Sequence, residues 1–323
     1  MQYRRLGRTG LDVSVLSFGA SSLGSVFRET DDRDGIRAVH AAVDAGINYI
    51  DVSPYYGLTK AETVLGRAIR ELPRDKFYLS TKAGRYGVDD FDFSAGRIVS
   101  SLEESLARLH TDYVDILFLH DIEFVPADII LEEAIPTLRR LKEQGKIRFG
   151  GICGLPLELF EKLLPRADVD VDAIISYCHY SLNDASLLEL LPLIASKDAG
   201  LVNASPLSMG LLGTRGTPAW HPASPELKAA CKRAAEFCAA QGADIAKLAV
   251  QFSTANPAIP TTLVSTANPD NIVKNAAWTD EPIDEALLAQ VLDLLEPVRG
   301  ESWVSGRPEY NERIHRKEGA GNE

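Results

Sequence analysis

The chain has 323 residues, 45% hydrophobic and 25% charged, the balance of an ordinary globular protein. Its formal charge of −12 argues against nucleic acid or an anionic membrane surface as a partner. No apolar run reaches the roughly 20 residues of a membrane-spanning helix. Met1-Gln2-Tyr3-Arg4-Arg5 leads into structure without the apolar stretch of a secretion signal, so a cytoplasmic protein is expected. Cys153, Cys178, Cys231 and Cys238 form no Cys-x-x-Cys pair and no Cys/His cluster with metal spacing. Reduced, mostly buried thiols and no metal are expected.

In chain order, residues 2–15 read as a hairpin turning at Arg8-Thr9-Gly10. Residues 16–19 are the first of eight short apolar stretches suited to buried strands, followed by 47–50, 77–81, 113–119, 147–152, 173–176, 200–204 and 261–264. Helical patterns fall between them. Asp31 or Asp32 caps the first, where Ile36, Val39 and Val43 share a face; residues 61–71 form the second, stopped by Pro73. Ser94 caps the third, with Ile98, Leu102, Ser105, Leu106 and Leu109 inward, and the fourth covers 128–145, started or kinked at Pro136. Further helices are expected at 157–164, 186–197, 224–241, 244–255 and 269–277, with an extra one at 283–295 and a polar, disordered tail from 312. The strand–helix alternation never breaks. A single domain over 1–323, an α/β fold of the (βα)8 TIM-barrel type with an N-terminal hairpin and an additional C-terminal helix, is the expected architecture.

Three consecutive strands end in chemistry. Residues 47–50 deliver Asp51, with Tyr56 in a loop punctuated by Pro54 and Gly57; 77–81 deliver Lys82 and 113–119 deliver His120. In such a barrel all these ends open on the face where reactions occur. A free tyrosine titrates near about 10, too high for proton exchange at neutrality. A lysine beside the phenol favours the phenolate, and an aspartate holds that lysine in place. Bringing the phenol to about 7 requires about 4 kcal/mol of differential interaction. His120 would orient a substrate oxygen. Singly, these residues could be a helix cap, a packing ring, a solvated strand end and a loop histidine. Together, at matching positions on consecutive strands, they point to acid–base catalysis.

Asp51, Tyr56-Gly57, Lys82 and His120 resemble the catalytic tetrad of the aldo-keto reductases. Phe18-Gly19-Ala20-Ser21-Ser22-Leu23-Gly24, Ser176-Tyr177-Cys178-His179-Tyr180 and Trp220-His221-Pro222-Ala223-Ser224-Pro225 are similar to that family's sugar 1-dehydrogenase branch, a likeness running from about Tyr3 to Gly306. The resemblance implies oxidation of a small-molecule sugar at C1, L-galactose in that branch; its neighbours act on L-fucose, D-arabinose or pyridoxal, and channel-associated members sense cofactor. It implies that the hairpin plugs the barrel bottom. No Gly-x-Gly-x-x-Gly follows the first strand, since Gly19…Gly24 lacks the middle glycine, so a Rossmann nucleotide site is unsupported. The family register instead places a dinucleotide along Gly19, Ala20, Asp51, Gly154 and Tyr177, its pyrophosphate under Ser205, Leu207 and Gly210, and its adenosine end against Ser265, Thr266, Asn271 and Asn275. NADP-dependent relatives carry Lys and Arg where this chain has Ser265 and Asn271, beside Asp270, so NAD is expected over NADP. Cys153-Gly154-Leu155 replaces the usual Ser-Asn, Ala204 the ring-stacking tyrosine and Tyr177 a glutamine. Tyr55, Arg85, Asp121, Glu123 and His179, with His120, are the candidate sugar contacts, although Asp121 and Glu123 read equally well as acids of a solvated loop.

Overall fold

In the computed structural model, residues 1–166 and 170–314 are described. Tyr3–Arg5 (β1) pairs antiparallel with Asp12–Ser14 (β2) around a short 3-10 turn, Gly7–Thr9. Eight parallel strands follow: Leu16–Gly19 (β3), Tyr49–Asp51 (β4), Tyr78–Ala83 (β5), Val114–His120 (β6), Ile147–Gly154 (β7), Ala173–Tyr177 (β8), Gly200–Ala204 (β9) and Thr261–Ser265 (β10). They close into a barrel, β10 pairing with both β3 and β9. The expected TIM barrel is therefore present.

Strand alternation divides the core into two layers. Side chains such as Leu79, Leu117 and Ile174 pack outward against helices, while Tyr49, Ile116, Phe118, Ile175, Val202 and Leu263 fill the interior. Leu6, Leu11 and Val13 of the hairpin join that interior cluster. A Cβ on Gly7 would collide with the backbone of Gly200, the first residue of β9, so the hairpin is pressed onto the amino-terminal edge of the barrel and closes it. Burying these residues, each worth about 1.5–3 kcal/mol, fixes the plug.

Helix starts follow their side-chain caps: Asp31 for Asp32–Asp44, Ser94 for Ala95–Leu109, Ser224 for Pro225–Ala240 and Asn268 for Pro269–Trp278. The expected fourth helix is interrupted. Ile130–Ala134 is a π-turn before Ile135–Glu143, because Pro136 has no N–H to donate to the preceding turn. The extra helix, Glu285–Leu295, shares an apolar cluster with Pro225–Ala240.

The chain end differs from expectation. Gly300 N–H donates to Asn183 O, Ser305 Oγ to Glu123 Oε1 and Arg307 N–H to Glu123 O, tying the last segment to the loops after β8 and β6. Arg313 N–H donates to Glu158, and Lys162 pairs with Glu312. Glu312 and Arg313 are thus docked, correcting the expected disordered tail at those two residues; the tail beyond residue 314 lies outside the described residues. Among the described residues, no helix is long and apolar enough to cross a membrane.

Candidate active site

Alternation makes Asp51, Lys82, His120, Cys153, Tyr177, Ala204 and Ser265 the last inward-facing residues of their strands. Asp51 and Lys82 are only 3% and 1% exposed. Lys82 Nζ contacts Asp51 Oδ2 and donates to Val52 O at 3.0 Å. Ser80, two residues before Lys82 on the same face and in register with Asp51, donates to Asp51 Oδ1 at 2.7 Å. Tyr49 Oη stands 2.9 Å from Ser80 Oγ, so a file of hydroxyls anchors the carboxylate. Burial alone would lower Lys82, but Asp51 raises it well above its ordinary value and keeps it an ammonium. Neither residue is the strand-end cap or solvated lysine that each could have been singly.

The Lys82 ammonium lies 4.8 Å from the Tyr56 ring centroid. The His120 ring meets Tyr56 edge-on, with centroids 5.6 Å apart at 89°. Four backbones position the tyrosine. A Cβ on Gly24 would fall 2.5 Å from Tyr56 O, and one on Gly57 would fall 2.1 Å from Gly24 O. Gly57, Leu58 and Thr59 then take three successive left-handed conformations, with φ of 64°, 49° and 76°. Only glycine tolerates that geometry and that closeness at position 57.

The surroundings of the phenol oppose the expected acidification. Burial raises Tyr56 above its ordinary value, Lys82 opposes it, and Asp51 adds to the rise. Because Lys82 is in contact with Asp51, the phenol faces a dipole rather than a free cation. His120 is likewise kept neutral, pushed down to about 3 by burial despite Asp121. Its Nδ1 lies 3.0 Å from Ser53 Oγ, which also accepts from Tyr55 N–H at 3.2 Å.

Above this floor lies a second polar network. Arg85 reaches Asp121 Oδ2 at 2.5 Å and Tyr55 Oη at 3.1 Å. Its guanidinium is packed over Tyr55, Phe91 and Phe124, which hold the fork rigid. Asp121 takes a left-handed conformation, φ 53°, and its Oδ1 receives Tyr177 Oη at 3.4 Å. Tyr177 is therefore drawn toward the candidate sugar contacts. Glu123 is fully buried: Oε1 accepts from Leu155 N–H and Ser305 Oγ, and burial pushes its carboxyl up to about 8. Ser305, Gly306 and Arg307 lie against it, so the solvated-loop reading fails for Glu123. Gly154 leaves room for that carboxyl, since a Cβ there would fall 2.8 Å from Glu123 Oε2. His179 belongs to another knot, its Nδ1 within 2.9 Å of Asp184 and 3.1 Å of Ser186.

The nucleotide candidates lie around β9, β10 and β3. Gly19 is in register with Asp51 on one side and Ser265 on the other, and Ala20 opens the buried turn that follows. Ser205 and Gly210 have positive φ of 58° and 104°, in a loop where Leu207 packs against the second apolar cluster. Ser265 Oγ is knotted to Ser21 and Ser22 Oγ at 2.9 and 2.8 Å, and Thr266 Oγ1 accepts from Asn268 N–H. Asn271 and Asn275 follow one turn apart on Pro269–Trp278, whose first turn carries Asp270. Phe27 and Trp220 meet at 5.9 Å, joining the loops after β3 and β9 on either side of β10. Ser53, Ser80 and Gly24 were missed from sequence; Ser80 was recoverable from its same-face spacing to Lys82, whereas Ser53 and the 299–311 crossing leave no local signal.

A closed barrel with a buried Lys–Asp pair beneath a tyrosine defines an oxidoreductase of the nicotinamide-using aldo-keto type. The profile of the aldo/keto reductase family matches residues 15–296, and the chain belongs to that family. It is 48% identical over 313 residues to L-galactose dehydrogenase of Arabidopsis thaliana, covering 95% of this chain and 98% of that one. It is 37% identical over 256 residues to D-arabinose 1-dehydrogenase of Saccharomyces cerevisiae, covering 75% of each. Among solved structures, the holo form of an aldo-keto reductase from Bacillus halodurans superposes with a TM-score of 0.76 at 26% identity, over 95% of this chain and 99% of that one.

Proposed function

We propose that this enzyme is an NAD-dependent sugar 1-dehydrogenase that oxidises L-galactose at C1 to the galactonolactone. The observation that carries the chemistry is the buried Lys82–Asp51 pair beneath the Tyr56 ring. The substrate rests on 48% identity across nearly the whole chain with L-galactose dehydrogenase. The 37% likeness to D-arabinose 1-dehydrogenase supports a second reading, a dehydrogenase of another aldose on the same machinery.

The residues fit a neutral dinucleotide end. The hydroxyls of Ser21, Ser22 and Ser265 and the amides of Asn271 and Asn275 would hold a ribose hydroxyl and adenine, while Asp270 disfavours a 2′-phosphate. The loop containing Ser205, Leu207 and Gly210 would take the pyrophosphate. Held there, a nicotinamide would supply the acceptor for a hydride from C1. Tyr56 takes the anomeric hydroxyl proton, and the neutral His120 donates a hydrogen bond to that oxygen and directs it to the phenol. Since burial favours the protonated phenol, its proton must first pass to solvent, and Lys82 supplies the countercharge for the phenolate. Asp121, Arg85 and Tyr55 would read the remaining sugar hydroxyls. Formation of NADH, followed by absorbance with L-galactose, L-fucose, D-arabinose and pyridoxal, tests the reading. L-Galactose with NAD should give the highest kcat/KM; a preference for NADP above about tenfold, or for pyridoxal, would displace it.

A further inference from the structure

His120 and Cys153 are register partners on β6 and β7, so their side chains emerge side by side from the barrel wall. Asp121, in its left-handed conformation, folds its carboxylate back to 3.6 Å from His120 Nε2. One ligating atom from each of His120, Asp121 and Cys153 lies within 4.8 Å of the other two, the one such trio among the described residues. All three are buried. We propose that this trio binds a thiophilic divalent cation of the Zn²⁺ type, and that the ion inhibits by occupying the imidazole that the sugar needs.

The chemistry of the donors favours that class. One thiolate, one imidazole and one carboxylate suit Zn²⁺ rather than Mg²⁺ or Ca²⁺, and three protein ligands leave a fourth position for water. Tetrahedral bonds of about 2.0–2.3 Å set ligand atoms roughly 3.3–3.8 Å apart, so an ion would draw the trio together by about 1 Å. The imidazole is prepared for it. His120 Nδ1 is held at 3.0 Å by Ser53 Oγ, which fixes the ring and can accept its N–H, leaving the Nε2 lone pair free. With the Ser53 hydroxyl rotated to donate instead, Nε2 carries the proton, as a sugar oxygen requires. The two tautomers make ion and sugar mutually exclusive.

Local charge does not forbid the ion. Lys82 is in contact with Asp51 and Arg85 with Asp121, so these two pairs carry no net charge before the ion enters. On binding, the Cys153 S–H gives its proton to solvent and a metal–sulfur bond forms, with no redox change. Serine at position 153 would remove the soft donor.

Binding of the ion is independent of the proposed activity; only the inhibition rests on it. The full chain, stripped of metal, is titrated with Co²⁺ and the thiolate-to-cobalt charge-transfer band is followed. One equivalent should bind, and Zn²⁺ should displace it. Cys153→Ser and His120→Asn, each checked for native near-ultraviolet dichroism, should abolish the band. Cys178→Ser, at another buried thiol, should keep it. Ser53→Ala should weaken the site by about 10–100-fold. In turnover, Zn²⁺ should raise the KM for sugar without lowering kcat, reversibly by chelator. A missing band, a band that survives Cys153→Ser, or inhibition that sugar does not relieve would overturn the proposal. If no aldose is oxidised, the dehydrogenase reading falls, and the cobalt band alone decides the cation site.

Discussion

At β4 and β5 the barrel mouth is dry: Asp51 and Lys82 are sealed from solvent, paired, and supported from below by Ser80 and Tyr49. At β10 it is wet. Ser265 is exposed, and its partners are two serine hydroxyls from the loop after β3, while Thr266 and Asn268 spend their oxygens on backbone N–H groups at a helix start. The dry side is a structure that exists only to hold charge out of water, whereas the wet side is made of ordinary caps and turns. A buried ion pair is costly to break, so the first region has little tolerance. Exposed hydroxyls exchange readily with water, so the second can be rewritten.

That contrast can be tested from its strongest point downward. Tyr56→Phe should lower kcat by about 10²–10⁴-fold with NAD affinity unchanged, measured by stopped-flow turnover and fluorescence titration. A near-normal rate would remove Tyr56 from the proton path. Lys82→Met leaves Asp51 as a buried charge without its cation; unfolding in urea should show a loss of about 3–5 kcal/mol along with lost activity. If stability is unchanged, the dry region is not held by that pair. On the wet side, Asn271→Arg should keep the melting temperature and improve NADP use relative to NAD by roughly tenfold, about the worth of one charge-assisted hydrogen bond. No shift in the ratio would place the 2′ side elsewhere.

The smallest effect concerns Glu123. Burial pushes its carboxyl from an ordinary 4.5 up to about 8 in the fold. The folded form therefore holds a proton that the unfolded chain has lost, and stability should fall as pH rises from about 4.5 to about 8. Glu123→Gln preserves an acceptor for Leu155 and Ser305 and cannot ionise. Its melting temperature should drop less than the parent's between pH 5 and pH 9; an identical drop would assign the pH dependence to other groups.

The same contrast explains what could be read before the structure. Asp51, Lys82 and His120 were legible because strand ends in a barrel are fixed in space by alternation, and a polar, titratable residue closing an apolar strand is conspicuous. Ser265, Thr266 and Asn268 carried less information, since a nucleotide site and a helix cap use the same letters, and here the cap is present. The Tyr56 titration could not be read at all: it depends on how far Asp51 neutralises Lys82 and how deeply the ring is buried. The surroundings of Glu123 were not legible, and the choice between a sugar contact and a solvated acid stayed open, because the segment that covers it lies 182 residues further along. Pro136 was read correctly as a disturbance, but a π-turn depends on how the preceding turn packs.

Gly24 and Gly57 touch backbone to backbone, with no side chain between them to yield. Two segments that look separate along the chain therefore behave as one rigid bracket around the tyrosine, and an insertion in either must be answered in the other. Natural or laboratory variants that reshape this rim should show paired changes near both glycines. Diversity would then be confined to the remaining loops, where the barrel rim can change without disturbing Tyr56.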